Sequence, residues 1–200
     1  MRVIETNEAL EALYPSPSGA SLAKVSSRLT PLYRAWIEAS RFCILSTVGP
    51  GGVHGSPRGD DGPVVHLADD RTLLMPDWRG NNRLDCLRDI VEDGRVALLF
   101  LVPGSGTTVR VNGRAVLSDE SGLRETFAHG GRVPTTVIVI GLREVYTQCA
   151  KALLRSGLWQ RDDSGSVPTV GQILAEVSQG AHGGPEYDAG YDARAKTQLW

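Results

Sequence analysis

Arg79 and Arg83 stand four residues apart in Pro76-Asp77-Trp78-Arg79-Gly80-Asn81-Asn82-Arg83-Leu84-Asp85, a segment that leaves an apolar run and enters a helical pattern. A helix N-terminus offers unpaired NH groups and the positive end of the helix dipole, and guanidinium groups add paired bonds to phosphate oxygens. The spacing therefore predicts a pocket for one phosphate monoester. The plainer account is two solvated arginines beside a helix capped by Asn81 or Asn82. Three further segments carry chemistry of the same kind. Gly55-Ser56-Pro57-Arg58-Gly59-Asp60 sets small residues beside an arginine, so that a flat ligand can lie against backbone; an edge strand ending in a turn has the same composition. Alternation in Thr107–Ala115 puts Arg110, Asn112 and Arg114 on one strand face, opposite Val109, Val111 and Ala115, as a solvated outer face also would. Lys151 and Arg155 project from one side of a short helix that a glycine stops before Trp159. Such cations beside an indole can hold a phosphate and cover a ring, or their stems can simply cover apolar surface.

These residues need elements to position them. Glu5 to Ser40 reads as a helical lead-in, broken at Pro15–Gly19 and restarted at Thr30-Pro31. From Phe42 the pattern turns to strands: Phe42 to Val48, Val53 to Arg58, Val64 to Ala68 and Thr72 to Met75, with Asp69-Asp70-Arg71 as a hairpin turn. Leu84, Leu87, Ile90 and Val91 predict a helix over Asn81 to Glu92, ended by Gly94. Strands follow at Arg95 to Val102, Thr107 to Leu117 and Thr135 to Thr147, with a short helix near Glu120 to Ala128. Cys149 to Arg155, Val170 to Val177 and Glu186 to Leu199 are helical in pattern, and Gln179 to Gly184 reads as a flexible joint. Six or seven strands joined mostly by hairpins predict a mainly β protein, an antiparallel, Greek-key-like barrel with flanking helices. Residues 1–41 form the lead-in, 42–159 the barrel, and 160–200 a helical extension of the same domain.

Bulk properties exclude several classes of function. With 21 basic against 23 acidic residues there is no long-range field to steer nucleic acid, so any phosphate site is local. The longest apolar stretch, Val96 to Val102, is far too short to span a bilayer, and the first residues lack the apolar segment of a secretory signal. A cytoplasmic protein is expected. Cys43, Cys86 and Cys149 lie far apart and form no CxxC pair, so they predict reduced thiols and no metal site.

Taken in order, FCILST, SPRGD, LLMPDWRGNNRLD, LLFLVPG, VRVNGRA and CAKALLRSGLW resemble the FMN-binding split-barrel family related to pyridoxamine 5′-phosphate oxidase, and most of all its flavin-nucleotide-binding branch. The resemblance runs from about Phe42 to Trp159. It implies a homodimer with FMN at the subunit interface. Ser56, Pro57 and Arg58 would lie along the flavin, with Pro76, Asp77 and Trp78 bordering the isoalloxazine. Arg79, Asn82 and Arg83 would hold the phosphate. Arg110 joins this cofactor-binding set, and Lys151, Arg155, Ser156 and Trp159 would close the site from the other protomer. The chain departs from the family at Gln148, where relatives often carry His. It also has no Arg-x-His after Trp159, the substrate clamp of pyridoxamine phosphate oxidases.

No GxSxG elbow, HExxH helix or Walker loop is present, and His54, His66, His129 and His182 are scattered. That pattern agrees with chemistry carried by a cofactor. The resemblance implies an FMN-dependent oxidoreductase. A flavin or quinone reductase using a nicotinamide donor, or a flavin-binding protein without catalysis, shares the same motifs.

Overall fold

The computed structural model describes all 200 residues, Met1–Trp200. Strands β1 (Phe42–Gly49), β2 (Gly52–Gly59), β3 (His66–Leu67), β4 (Thr72–Asp77), β5 (Arg95–Leu101), β6 (Thr108–Ser118) and β7 (Thr136–Gln148) form one sheet in the order β2-β1-β5-β6-β7-β4-β3. Every pairing is antiparallel. The sequence dictates this through period-two burial. In β1, Cys43, Leu45 and Thr47 point inward while Phe42 and Ile44 point out, and β5 buries Val96, Leu98 and Phe100 in the same way. The inward residues join Val109, Val111, Ile138 and Ile140 in one core. Each fully buried side chain of this size contributes about 1.5–3 kcal/mol.

Three short helices, α1 (Asn7–Glu11), α2 (Gly19–Ala23) and α3 (Pro31–Glu38), precede the sheet. Thr30 caps α3 with Pro31 at its first position, and Ile37 carries the helix into the core. Between β4 and β5, α4 (Asp85–Glu92) packs Cys86 and Ile90 against β1 and β6. α5 (Ser121–Glu125) links β6 to β7, and α6 (Lys151–Ser156) follows β7. α7 (Val170–Val177), α8 (Pro185–Ala189) and α9 (Tyr191–Lys196) complete the chain. No helix is long and apolar enough to cross a membrane.

Strands β2 and β4 stand far apart in the sheet order, yet Arg58 Nη1 of β2 lies 2.5 Å from Asp77 Oδ1 of β4. Just beyond them, Trp78 Nε1 donates to Asp60 Oδ2 at 2.9 Å. The sheet therefore curls into a barrel that side chains close where no ladder does. The curl is helped by a bulge in β6 at Asn112/Gly113, which bends the strand and adds twist. A Cβ on Gly113 would collide with the carbonyl oxygen of Gly141, a backbone atom that cannot swing aside. Gly113→Ala should therefore lower stability by about 1–3 kcal/mol, the cost of overpacking, read as a fall in the urea midpoint at unchanged slope.

Four expectations need correction. The predicted strand over Val64 to Ala68 shrinks to His66–Leu67, because Val64 and Val65 are drawn into the core and Val64 N bonds to Ser40 O instead of to a ladder. The helix expected from Asn81 starts at Asp85. Asn81 Oδ1 accepts from Arg83 N in a side-chain turn, while Asn82 and Leu84 take positive φ of 59° and 62°, which no helix start extends through. The helix over Glu186 to Leu199 breaks into two at Gly190. Gln179 to Gly184 is not a loose joint but a tight turn. Gly184 N bonds to Gly171 O, and Asp188 receives Gly171 N at 2.8 Å and the Thr169 hydroxyl at 2.5 Å, clamping α7 to α8.

Candidate functional site

Residues 54, 56, 58 and 60 share one side of β2 by alternation, so His54, Ser56, Arg58 and Asp60 are half-buried in a row while Val53, Gly55, Pro57 and Gly59 face out. As the edge strand, β2 has a backbone face that no ladder covers. Opposite it run the exit of β4 and the loop to α4. Together they bound a cleft of about 1190 Å³, a size sufficient for a nucleotide-sized ligand.

The cleft gathers nine of the predicted residues: Ser56, Pro57 and Arg58 from β2, Pro76 and Asp77 from β4, and Trp78, Arg79, Asn82 and Arg83 from the loop. Arg58 is ion-paired to Asp77, and both are largely shielded, at 20% and 13% side-chain exposure. The Ser56 hydroxyl reaches only the carbonyl of Pro57, at 3.5 Å, which leaves it available. Arg79 is exposed and makes no ion pair, whereas Arg83 Nε donates to Asp85 Oδ2 at 2.9 Å. The pocket predicted at a helix start is therefore a loop with two guanidinium groups. The first turn of α4 carries Asp85, whose carboxylate already answers the helix dipole.

Arg110, Lys151, Arg155, Ser156 and Trp159 lie elsewhere. Arg110 stands on the outer face of β6, bonded to Tyr146 Oη at 3.2 Å and Gln148 Oε1 at 3.3 Å. Trp159 Nε1 donates to Ser105 O at 2.7 Å in the turn between β5 and β6, beside α6 with its exposed Lys151, Arg155 and Ser156. None of these five lines the cleft: Arg110 belongs to the outer sheet face, and the other four group on and beside α6.

Two features escaped the sequence. His54 Nδ1 lies 2.7 Å from Asp89 Oδ2, and the Thr47 hydroxyl donates to that same oxygen at 2.6 Å. The alternation that groups Ser56 with Arg58 also places His54 beside them, so the signal was present; its partner Asp89 comes from a helix 35 residues away. The second feature is the last turn of the chain. Leu199 lines the cleft, and the Trp200 indole stacks on His129 at 4.4 Å and donates to Asp60 Oδ1 at 3.4 Å. Asp60 thus ties two tryptophans, Trp78 and Trp200, at one rim.

Electrostatics separate inert groups from available ones. Burial pushes the Cys43 thiol up to about 12 despite the nearby Arg58 charge, so it stays protonated and supplies no nucleophile. Hydrogen bonds from Thr47 and then His54 hold the Asp89 carboxyl below the ordinary aspartate value of 3.8. A depressed value means that ionised Asp89 contributes stability in full above 3.8 and loses it as the pH falls through its lower folded value. Asp89→Asn should be less stable than the parent near pH 7, with the gap narrowing as the pH falls below 3.8; urea midpoints over that range measure it.

The pyridoxamine 5′-phosphate oxidase family model matches residues 29–149, from the entry to the core through the whole sheet. Among solved structures, HupZ of Group A Streptococcus superposes with a TM-score of 0.50 at 17% identity, over 60% of this chain and 94% of that one. General Stress Protein 26 of Bacillus anthracis gives 0.44 at 20% identity, over 57% of this chain and 88% of its own. An FMN-binding protein of Syntrophomonas wolfei gives 0.42 at 14% identity, over 57% and 86%. No curated protein matches the chain. With a family match that spans every strand of the sheet and both walls of the cleft, this chain belongs to the pyridoxamine 5′-phosphate oxidase family.

Proposed function

We propose that the cleft binds FMN and that the protein is an FMN-dependent oxidoreductase working as a homodimer. One observation carries the flavin reading. Only two buried side-chain polar atoms in the chain lack a hydrogen-bond partner, Arg58 Nε and Thr136 Oγ1, and both belong to residues lining the cleft. Buried polar atoms are rarely left unpaired, at a cost of about 1–3 kcal/mol each. A flat heteroaromatic ring with carbonyl and NH groups on its edge could answer both once the Arg58 and Thr136 side chains turn toward the cleft, since both atoms are shielded in the present arrangement.

In this reading Arg58, fixed by Asp77, donates to the ring edge while Thr136 and Ser56 orient it. Trp78 borders the ring plane. Arg79, with Arg83 and Asn82, grips the phosphate. Bound FMN supplies the electron transfer; the chain's own task is to position the ring, exclude water and offset negative charge with the Arg58 guanidinium.

The dimer reading rests on an outer sheet face that the chain covers only in part. Pro57, Ile44, Leu99, Arg110 and Tyr146 are neighbours in successive strands, and Phe42 and Ile44 stay 38% and 37% exposed. A twofold pairing across such a face is self-complementary. It also gives the group at α6 a role, because Lys151, Arg155, Ser156 and Trp159 would then complete the partner's cleft. Mass spectrometry of the denatured, as-purified protein should release FMN, and stripped protein should rebind about one equivalent per chain. Protein that carries no flavin and takes up neither FMN nor riboflavin overturns the reading.

A further inference from the structure

Thr47, Asp89 and His54 form a hydrogen-bonded chain from the core to the cleft, and flavin binding as described gives it no task. Thr47 and Asp89 are 2% and 4% exposed, whereas the His54 side chain is 37% exposed and lines the cleft. The carboxylate is wedged against β1, since a Cβ on Gly49 would collide with Asp89 Oδ1. Gly49 thereby leaves the room that Asp89 needs to meet both donors. An ionised carboxylate only accepts hydrogen bonds, so the proton at this contact sits on His54 Nδ1. The neutral ring is left with an accepting Nε2 on its exposed edge. A buried carboxylate that fixes one ring nitrogen and stabilises the charge gained at the other is the arrangement that makes histidine a proton carrier.

The charges around the ring are mixed, and most of the negative ones already have partners. From α4, Asp85, Arg88 and Glu92 line the same cleft, and Asp93 lies one turn beyond Asp89. β2 itself contributes Arg58, and the inward residues of β1 are Cys43, Leu45 and neutral Thr47. Asp85 is taken by Arg83 and Asp93 by Arg95, while Arg88 has no ion-pair partner. The unpaired charges of the cleft are thus Arg88 and Arg79, which suit an anion, and Glu92, which opposes one, so a protonated His54 would tip the balance toward an anion.

We propose that His54 is a contact for a phosphate oxyanion in the cleft and takes up a proton at Nε2 as that anion binds, with Asp89 and Thr47 as its positioning residues. The proton comes from solvent and returns to solvent when the anion leaves. The inference goes beyond the flavin reading and does not require it, because the phosphate can belong to FMN or to a second ligand.

Calorimetry in buffers of differing ionisation enthalpy, at pH 7.5, separates these sources. A phosphate monoester has its second ionisation near pH 6 and is mostly dianionic at this pH, so the proton is assigned to the protein only where uptake disappears with the His54 ring. Titrating stripped protein with FMN, then the FMN-loaded protein with methyl phosphate, should give net proton uptake in one of the two steps. Uptake in the first step assigns the contact to the flavin phosphate, and in the second to a separate phosphate ligand; riboflavin should give none. His54→Gln should abolish the uptake and weaken that step by about tenfold, one charge-assisted hydrogen bond. If stripped protein refuses FMN, the flavin reading fails, while methyl phosphate titrated into the same protein still tests His54. Nitrogen NMR of the imidazole gives a second readout: the Nδ1–H form should dominate in the parent and lose its dominance in Asp89→Asn. No proton uptake in any arm, uptake that survives His54→Gln, or a parent ring in the Nε2–H form would overturn the proposal.

Discussion

Ile44→Arg is expected to yield a monomer that has lost FMN affinity by about a hundredfold or more, with its fold intact. Ile44 sits between Pro57 and Leu99 on the outer face and is already 37% exposed, so an arginine there costs the isolated chain little. In a twofold interface the substitution enters twice and sets two like charges against an apolar patch. A hot-spot side chain at the centre of an interface carries about 2–4 kcal/mol, which two copies bring to a level that empties the dimer at micromolar concentration. The flavin loss follows because Lys151, Arg155, Ser156 and Trp159 can reach a cleft only from the partner in this reading. Light scattering, circular dichroism and flavin fluorescence titration together decide it. A flavin-loaded monomer with parental affinity would refute both the pairing and the shared site, and Leu99→Arg, one strand across, should behave alike.

Arg79→Ala comes second in expected size. Arg79 is exposed at the cleft and has no carboxylate partner, so its guanidinium is available to a phosphate at no cost in broken bonds. Its loss should weaken FMN binding by about 1.5–3 kcal/mol, a charge-assisted hydrogen bond, or roughly tenfold to a hundredfold, and leave riboflavin binding unchanged. Arg83→Ala should cost less, because Arg83 must first be drawn from Asp85. The same competition makes Asp85→Asn a variant with tighter FMN binding. Equal losses for FMN and riboflavin in Arg79→Ala would mean that the arginine touches the ring and not the phosphate.

The sequence determined what depends on nearest neighbours and on period. Alternating burial in Phe42–Gly49, Arg95–Leu101 and Thr108–Ser118 follows from the residues themselves, and so do the Thr30-Pro31 helix start and the hairpin at Asp69–Arg71. The motif blocks named the family that the match over residues 29–149 establishes. Local pattern failed where a side chain outcompetes the backbone: the Asn81 turn and the left-handed Asn82 delay α4 to Asp85, although the apolar spacing alone reads as helix from Asn81. Tertiary structure alone decided which charges meet. Arg58 with Asp77 closes a barrel between strands at distant places in the sheet, Asp89 finds His54 across 35 residues, and Arg110 and Trp159 fall outside the cleft that holds Arg58. Hydrogen bonds reach only about 3 Å, whereas the separations in sequence that bring these partners together are fixed by how the sheet curls, a property of the whole core and of no single segment.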